Sequence, residues 1–591
     1  MSVPRPEYPR PQFVRKDWLC LNGAWQFEVD CSDSGLERKV HQRELTGTIT
    51  VPFCPESPLS GVGNTDWMNA VWYRREVEIP AAWAGRQVLL HLQACDYDTT
   101  VWVNGQEVQR HRGGFTPITC DLSGAAKPGE KATIVVRARD LKAMTGKPGG
   151  KQSLWYENRG CHYTRTTGIW QTVWMEPVHE VHLDRPRITP DLANSRFHFV
   201  QPITNSRPGA SLRVTLKDTQ GVVSTASVKA DADFTPAMDL NVPADRRHLW
   251  SPQTPFLYDI EIELLDAAGK VIDRAGSYAG LRSVTIDGQA VKINGAGVFQ
   301  RMVLDQGYYA DGILTAPSDE ALVNDIKLSM AAGFNAARLH QKVFEERFLY
   351  HADRLGYLVW GEFPDWGMDF DASRATYVTQ WLEVLRRDFN HPAIVGWCPL
   401  NETARDIEDR IDGLDDVMTG LFLATKAMDA SRPVLDSSGY SHRIRNVDIY
   451  DCHDYDQNPQ TVLARQRKPL ADRTPFANGT ENHRTWSWPY RGQPYFVSEF
   501  GGIWWNPAMA GETDSLKTWG YGDRPRNVEE FYTRFKGLCD VLLDDPNMFG
   551  YCYTQLTDVF QEQNGIYFFD RSAKFDMKRI HGIQARKAAI E

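Results

Sequence analysis

Up to about residue 180 the chain is a succession of short runs in which apolar and polar positions alternate. Examples are Trp25-Gln26-Phe27-Glu28-Val29, Val71-Trp72-Tyr73-Arg74-Arg75-Glu76-Val77, Val88-Leu89-Leu90-His91-Leu92 and Thr100-Val101-Trp102-Val103. A repeat of two is that of a strand with one buried face. The last run meets Asn104-Gly105, a dipeptide that accepts the positive φ angles of a two-residue hairpin. Turns this frequent predict an antiparallel, jelly-roll-like β-sandwich over residues 1–180. Through 181–285 the pattern continues in a more polar register, with Ser211–Leu216 and Tyr258–Leu264 as its clearest strands, and predicts an immunoglobulin-like β-sandwich.

From about residue 286 the period changes. Helical stretches such as Asp319–Met330 alternate with short apolar runs: Val298–Leu304, Ala336–Leu339, Tyr357–Glu362, Ile394–Leu400, Pro433–Ser437, Asp448–Cys452, Tyr495–Ser498 and Phe549–Tyr553. Eight strands with intervening helices predict a (β/α)8 TIM barrel over residues 286–591. Ser318 is placed to cap the first helix, and Gly333 lies just past its end. Residues 455–494 read as a long, turn-rich insertion.

The chain has 591 residues and a net charge of −10, with no long Lys/Arg tract, which argues against a nucleic-acid or anionic-membrane partner. No apolar run approaches the roughly 18 residues of a membrane span, and the first residues lack the apolar centre of a signal peptide. The expected location is therefore cytoplasmic, or periplasmic or secreted if a leader has been removed. Ten cysteines without a C-x-x-C pair predict buried free thiols. The 19 Trp, 22 Tyr and 26 Phe suit walls for flat, partly apolar ligands as well as sandwich cores.

Barrel enzymes carry their reacting groups where strands end, at the C-terminal face. Two glutamates stand there: Glu402, after the fourth run, and Glu499, after the seventh. A charged side chain at the end of an apolar run is a liability unless it lines a cleft. The dense Asp451, His453, Asp454, Asp456 group has neither EF-hand nor H-E-x-x-H spacing, so no metal is expected there.

The chain resembles the glycoside hydrolase family 2 enzymes, the β-galactosidase and β-glucuronidase superfamily, along nearly its whole length. The resemblance is carried by Leu21–Trp25, Val71–Arg74, Trp102–Gly105, Thr167–Trp174, Leu249–Tyr258, Gly333–Arg338, Asp353–Gly356, Asn390–Pro392 and the two glutamate motifs, in the family's order. It implies that Glu402 is the general acid/base and Glu499 the nucleophile of a retaining exo-glycosidase working through a covalent glycosyl-enzyme. In such enzymes the two carboxyls stand about 5–5.5 Å apart. It further implies that Asn401 binds the sugar 2-hydroxyl, that Tyr455 sits beside the nucleophile, that Arg338 helps hold Glu499 ionised, that His340 is the family's histidine after the second strand, and that the loop with Asp451, His453, Asp454 and Asp456 binds sugar hydroxyls. No cofactor is required. Some relatives bind Mg2+ or Na+ near the site, but neither ion is expected here. Family members often form homo-oligomers.

Departures bear on the sugar. The glucuronidase branch holds the sugar carboxylate with the lysine of an Asn-x-Lys pair, whereas this chain reads Gln561-Glu562-Gln563-Asn564-Gly565. A buried carboxylate without a cation is disfavoured, so a neutral, galactose-type unit is expected. An α-L-arabinofuranoside or β-D-galactofuranoside is the competitor, and a non-catalytic carbohydrate-binding protein the alternative of another class. His162 or Tyr163 replaces an aspartate that relatives extend from the first domain. Gln555 and Asp558 are expected on sugar hydroxyls, and Asp365, Trp366 and Trp504 (with Trp505) around the walls.

Overall fold

The computed structural model describes residues 3–141, 147–365, 375–479 and 485–591. Two antiparallel sheets form the first sandwich. The larger runs in the order Gly47–Val51, Gly23–Val29, Ala70–Glu78, Lys131–Arg139, Asp98–Val103, Gln106–Arg112; the smaller in the order Leu19–Cys20, Val173–Val178, Gln87–Leu92, Ile118–Asp121. Alternate residues of both, among them Trp25, Tyr73, Leu90, Ile134 and Met175, meet in one core. Asn104 and Gly105 make the hairpin with φ of 50° and 81°, pairing Val103 with Gln106.

The second sandwich stacks a three-stranded sheet (Arg187–Asp191, Arg196–Val200, Ala237–Asn241) on a four-stranded one containing Ser211–Asp218 and Tyr258–Leu265. Phe197, Phe199, Val214 and Ile262 fill the space between.

Seven parallel strands follow in one sheet, ordered Ile394–Cys398, Leu358–Glu362, Ala336–Leu339, Gln300–Asp305, Met548–Thr554, Tyr495–Gly501, Tyr450–Asp454. The gap between its two ends is filled by the expected fifth strand, which is irregular. It touches the fourth through isolated parallel bridges, Trp397 with Val434 and Asn401 with Ser438. Pro433 brings no amide hydrogen. On the other side, the Asp451 carboxylate takes the Gly439 N–H at 3.0 Å in place of a ladder bond. Helices Asp319–Ala331, Glu346–Leu355, Ala375–Asp388, Gly413–Met428, Pro459–Ala471, Val528–Leu543 and Met577–Gln584 surround the sheet. The helix at Pro459–Ala471 lies inside the expected insertion; Asn458 caps it and Pro459 occupies its first turn. All ten cysteines are free. Among the described residues no helix is long and apolar enough to cross a membrane.

Candidate active site

The strand ends gather the two glutamates into one cluster. One oxygen of Glu402, one of Glu499 and a His453 ring nitrogen all lie within 4.8 Å of one another. Glu499 is the more enclosed: its carboxylate accepts from Arg338 Nη1 at 3.1 Å and from the Tyr455 hydroxyl at 2.5 Å. Burial opposes its charge, but His453, His340, Arg338 and Lys151 outweigh burial and hold the carboxyl well below the usual range. Tyr455 is kept in place by Thr554 Oγ1 at 3.0 Å and by the Tyr521 ring stacked 3.5 Å away.

Glu402 leaves the fourth strand with φ of 46°, a left-handed conformation costly for a residue with a side chain. Its amide donates to the Ser438 carbonyl at 2.9 Å, so the irregular fifth segment fixes the turn that aims the carboxyl at His453. Asn401 beside it accepts from Arg338 at 3.3 Å, while its buried Nδ2 has no hydrogen-bond partner among the described residues. A buried N–H of this kind awaits an acceptor.

Arg338 is completely buried. It donates to the Ser498 carbonyl at 2.8 Å and to Glu362 at 2.7 Å as well as to Glu499 and Asn401. It therefore acts as a strut beneath Glu499 rather than a sugar contact. His340 Nδ1 lies 2.9 Å from Glu362 and 3.9 Å from Glu499. Glu362, at the exit of the third strand, completes this foundation and was absent from the sequence reading, although it ends an apolar run just as the other two glutamates do.

Two family models match the sandwich domains that precede the barrel. That of the sugar binding domain of glycosyl hydrolases family 2 matches residues 19–173, and that of glycosyl hydrolases family 2 matches residues 181–282. A β-glucuronidase of Paenibacillus borealis is 26% identical over 412 residues, 65% of this chain and 67% of that protein. A β-galactosidase of Thermoanaerobacter pseudethanolicus is 23% identical, over 66% of this chain and 51% of its own length. The fold matches the solved Ruminococcus gnavus β-glucuronidase with a TM-score of 0.77 at 19% identity, covering 99% of this chain and 100% of the other.

Both sandwich domains match glycosyl hydrolases family 2. The chain is a glycosidase.

The rest of this family 2 pocket departs from the sequence expectations. Gln555 has both ends of its amide occupied inside the protein, accepting from Gln306 at 2.5 Å and donating to Asn564 at 2.9 Å. Asp558 is buried against Lys574 at 2.6 Å and accepts the Gly565 N–H. Neither is placed to meet a sugar hydroxyl. Trp504 donates to Thr518 and lies under the Arg524 guanidinium, 3.7 Å from its ring, so its face is engaged by the following loop. Asp365 is buried and accepts from Tyr377 at 3.0 Å, and Trp366 falls outside the described residues. Alternation along the sixth strand divides the acidic group. Asp451 and His453 turn toward the fifth segment, while Asp454 turns to Arg465 and Gln466.

The first domain reaches the pocket through residues 147–163. Gly150 N–H donates to the Pro364 carbonyl, the Tyr163 hydroxyl to Glu562, and Gln561 to the Gly160 and His162 carbonyls. Burial and nearby Lys151 push His162 down to about 4, so the imidazole is neutral. Lys151 is buried among acidic groups: burial disfavours its charge, but Cys161, Glu562, Glu402 and Glu499 outweigh burial and push its ammonium above the ordinary value. Burial raises the Glu562 carboxyl, which Lys151, Tyr163 and Asn564 partly offset. No local sequence signal marks Lys151, because its partners come from another domain.

Proposed function

We propose that this enzyme is a retaining exo-glycosidase that releases a terminal neutral sugar, with Glu402 as general acid/base and Glu499 as nucleophile. The observation that carries the reading is the approach of the two carboxyls to within 4.8 Å across His453. That is close to the retaining separation of about 5–5.5 Å and too short to seat the extra water of an inverting enzyme. Glu499, ionised by its surrounding donors, attacks the anomeric carbon as Glu402 protonates the departing oxygen; water then reverses the step with Glu402 as base. The unpartnered Asn401 amide is placed to grip the 2-hydroxyl, a contact that tightens in the transition state.

The neutral sugar is supported by Glu562, whose carboxylate stands in the stretch where the glucuronidase branch carries its lysine. A galactose-type pyranoside leads, and a furanoside competes. Lys151 favours a second reading, a uronic acid, in line with the β-glucuronidases among the relatives. A panel of 2-fluoro galactosyl, glucuronyl and arabinofuranosyl fluorides, read by intact mass, separates these. A stoichiometric adduct on Glu499 is expected from a neutral member, and a glucuronyl adduct overturns the neutral reading. Glu499→Ala is expected to abolish turnover. Glu402→Ala should keep slow turnover of activated substrates that azide accelerates. Full activity of either variant on an unactivated glycoside refutes the assigned roles.

A further inference from the structure

His453 stands between the two carboxyls, and its ring is fixed from several sides. Nδ1 lies 2.8 Å from Glu402 and 3.4 Å from Glu499, and Nε2 lies 3.0 Å from Ser438 Oγ. Its backbone is clamped in both directions by the Asn478 side chain, at 2.8 and 3.0 Å. Gly439, with φ of 65°, packs so closely that a Cβ there would come 2.6 Å from the ring. The titratable groups facing the ring are Glu402 from the fourth strand, Tyr440 from the loop after the fifth, Asp451 and Tyr455 from the sixth, and Glu499 from the seventh. Nδ1 thus meets only carboxylate oxygens, so one proton must lie on the His453–Glu402 contact for it to be attractive.

We propose that His453 is a positioning residue that shares this proton with Glu402, so that the pair, rather than the glutamate alone, sets the proton balance of the reaction. The inference rests on Glu402 being the acid/base. In the first step the shared proton passes through Glu402 to the glycosidic oxygen, which leaves Glu402 ionised and the Nδ1 of His453 without its proton. The anomeric C–O bond breaks, Glu499 forms the ester, and the aglycone leaves as the alcohol. In the second step a water proton returns to Glu402 and is shared again with Nδ1 as the water oxygen displaces Glu499. Burial disfavours the charged imidazole, but Glu499, Glu402 and Asp451 outweigh it and raise its pKa above the ordinary value.

The test is the pH profile of kcat/KM for His453→Asn on methyl, 4-nitrophenyl and 2,4-dinitrophenyl glycosides of the sugar that labels Glu499. Asparagine keeps a donor toward Glu402 but cannot titrate. The alkaline limb is expected to move about one pH unit or more toward acid, with about a tenfold or greater loss on the methyl glycoside at pH 7. The dinitrophenyl glycoside, whose departure needs no proton, should lose less than about threefold. An unmoved limb, or equal losses for every leaving group, overturns the proposal. Ser438→Ala, which removes the Nε2 partner, should move the limb in the same direction by less and decides the matter if His453→Asn does not fold. Adduct formation on Glu499 in the wild type tests the retaining reading separately: its absence sinks that reading, whatever the limb does.

Discussion

At the scale of single residues, the site is an arrangement of charges that keeps Glu499 ionised and sets Glu402 against His453. Tyr455 contributes the shortest contact to Glu499, at 2.5 Å. Tyr455→Phe removes a donor to a charged acceptor, worth about 1.5–3 kcal/mol, so kcat should fall roughly ten- to a hundredfold. The sign of the pH effect follows from the same loss. A carboxyl held below its usual value relaxes upward when a donor is removed, so the acidic limb of kcat/KM should move to higher pH; an unchanged limb would detach Tyr455 from Glu499. Glu402 and Glu499 were legible because an acid ending an apolar run is a local anomaly. Gln555 and Asp558 were misread for the complementary reason: their partners, Gln306 and Lys574, are brought together only by folding.

At the scale of elements, local chemistry predicted well. Ser318 caps the helix Asp319–Ala331, accepting the Ala321 N–H at 3.2 Å, and Gly333 ends it with φ of 96°. Ser318→Ala should destabilise the barrel by about 1 kcal/mol, visible as a lower Tm for its calorimetric transition with little change in KM. The Asn104-Gly105 hairpin was legible for the same reason, since φ above zero at both positions narrows the choice of residues. The fifth barrel strand was not legible as irregular. Apart from Pro433 its run reads like the others, and the Asp451 carboxylate that takes the Gly439 N–H on its sixth-strand side meets it only in the folded barrel.

At the scale of the whole molecule, a basic N-terminal segment fastens the three domains. Arg5 forms a two-pronged pair with Glu345 of the barrel. Arg15 joins Glu176 of the first sandwich at 3.0 Å to Asp273 of the second at 2.8 Å. Burial opposes the charge of Glu176, but Arg10, Arg15 and His91 hold its carboxyl well below the ordinary value. Such a group contributes stability above its unfolded pKa that is lost as pH falls toward the folded one. Stability should therefore decline progressively below about pH 4.5. Arg15→Ala takes the arginine from buried Asp273 and leaves Glu176 with Arg10 and His91 alone, and should cost about 3–5 kcal/mol near neutral pH while flattening that decline. Calorimetry across pH reads both, and a variant that melts like the wild type would show the segment to be dispensable.

The sequence by itself determined the three layers of architecture and the two acids, because period, caps and acid-terminated strands are properties of neighbouring residues. Only the tertiary structure decided that Lys151 enters the pocket from another domain, that Glu362 underlies Arg338, and that His453 separates the glutamates. Those contacts join residues up to hundreds of positions apart, and electrostatic partners at that distance leave no periodic trace in the chain.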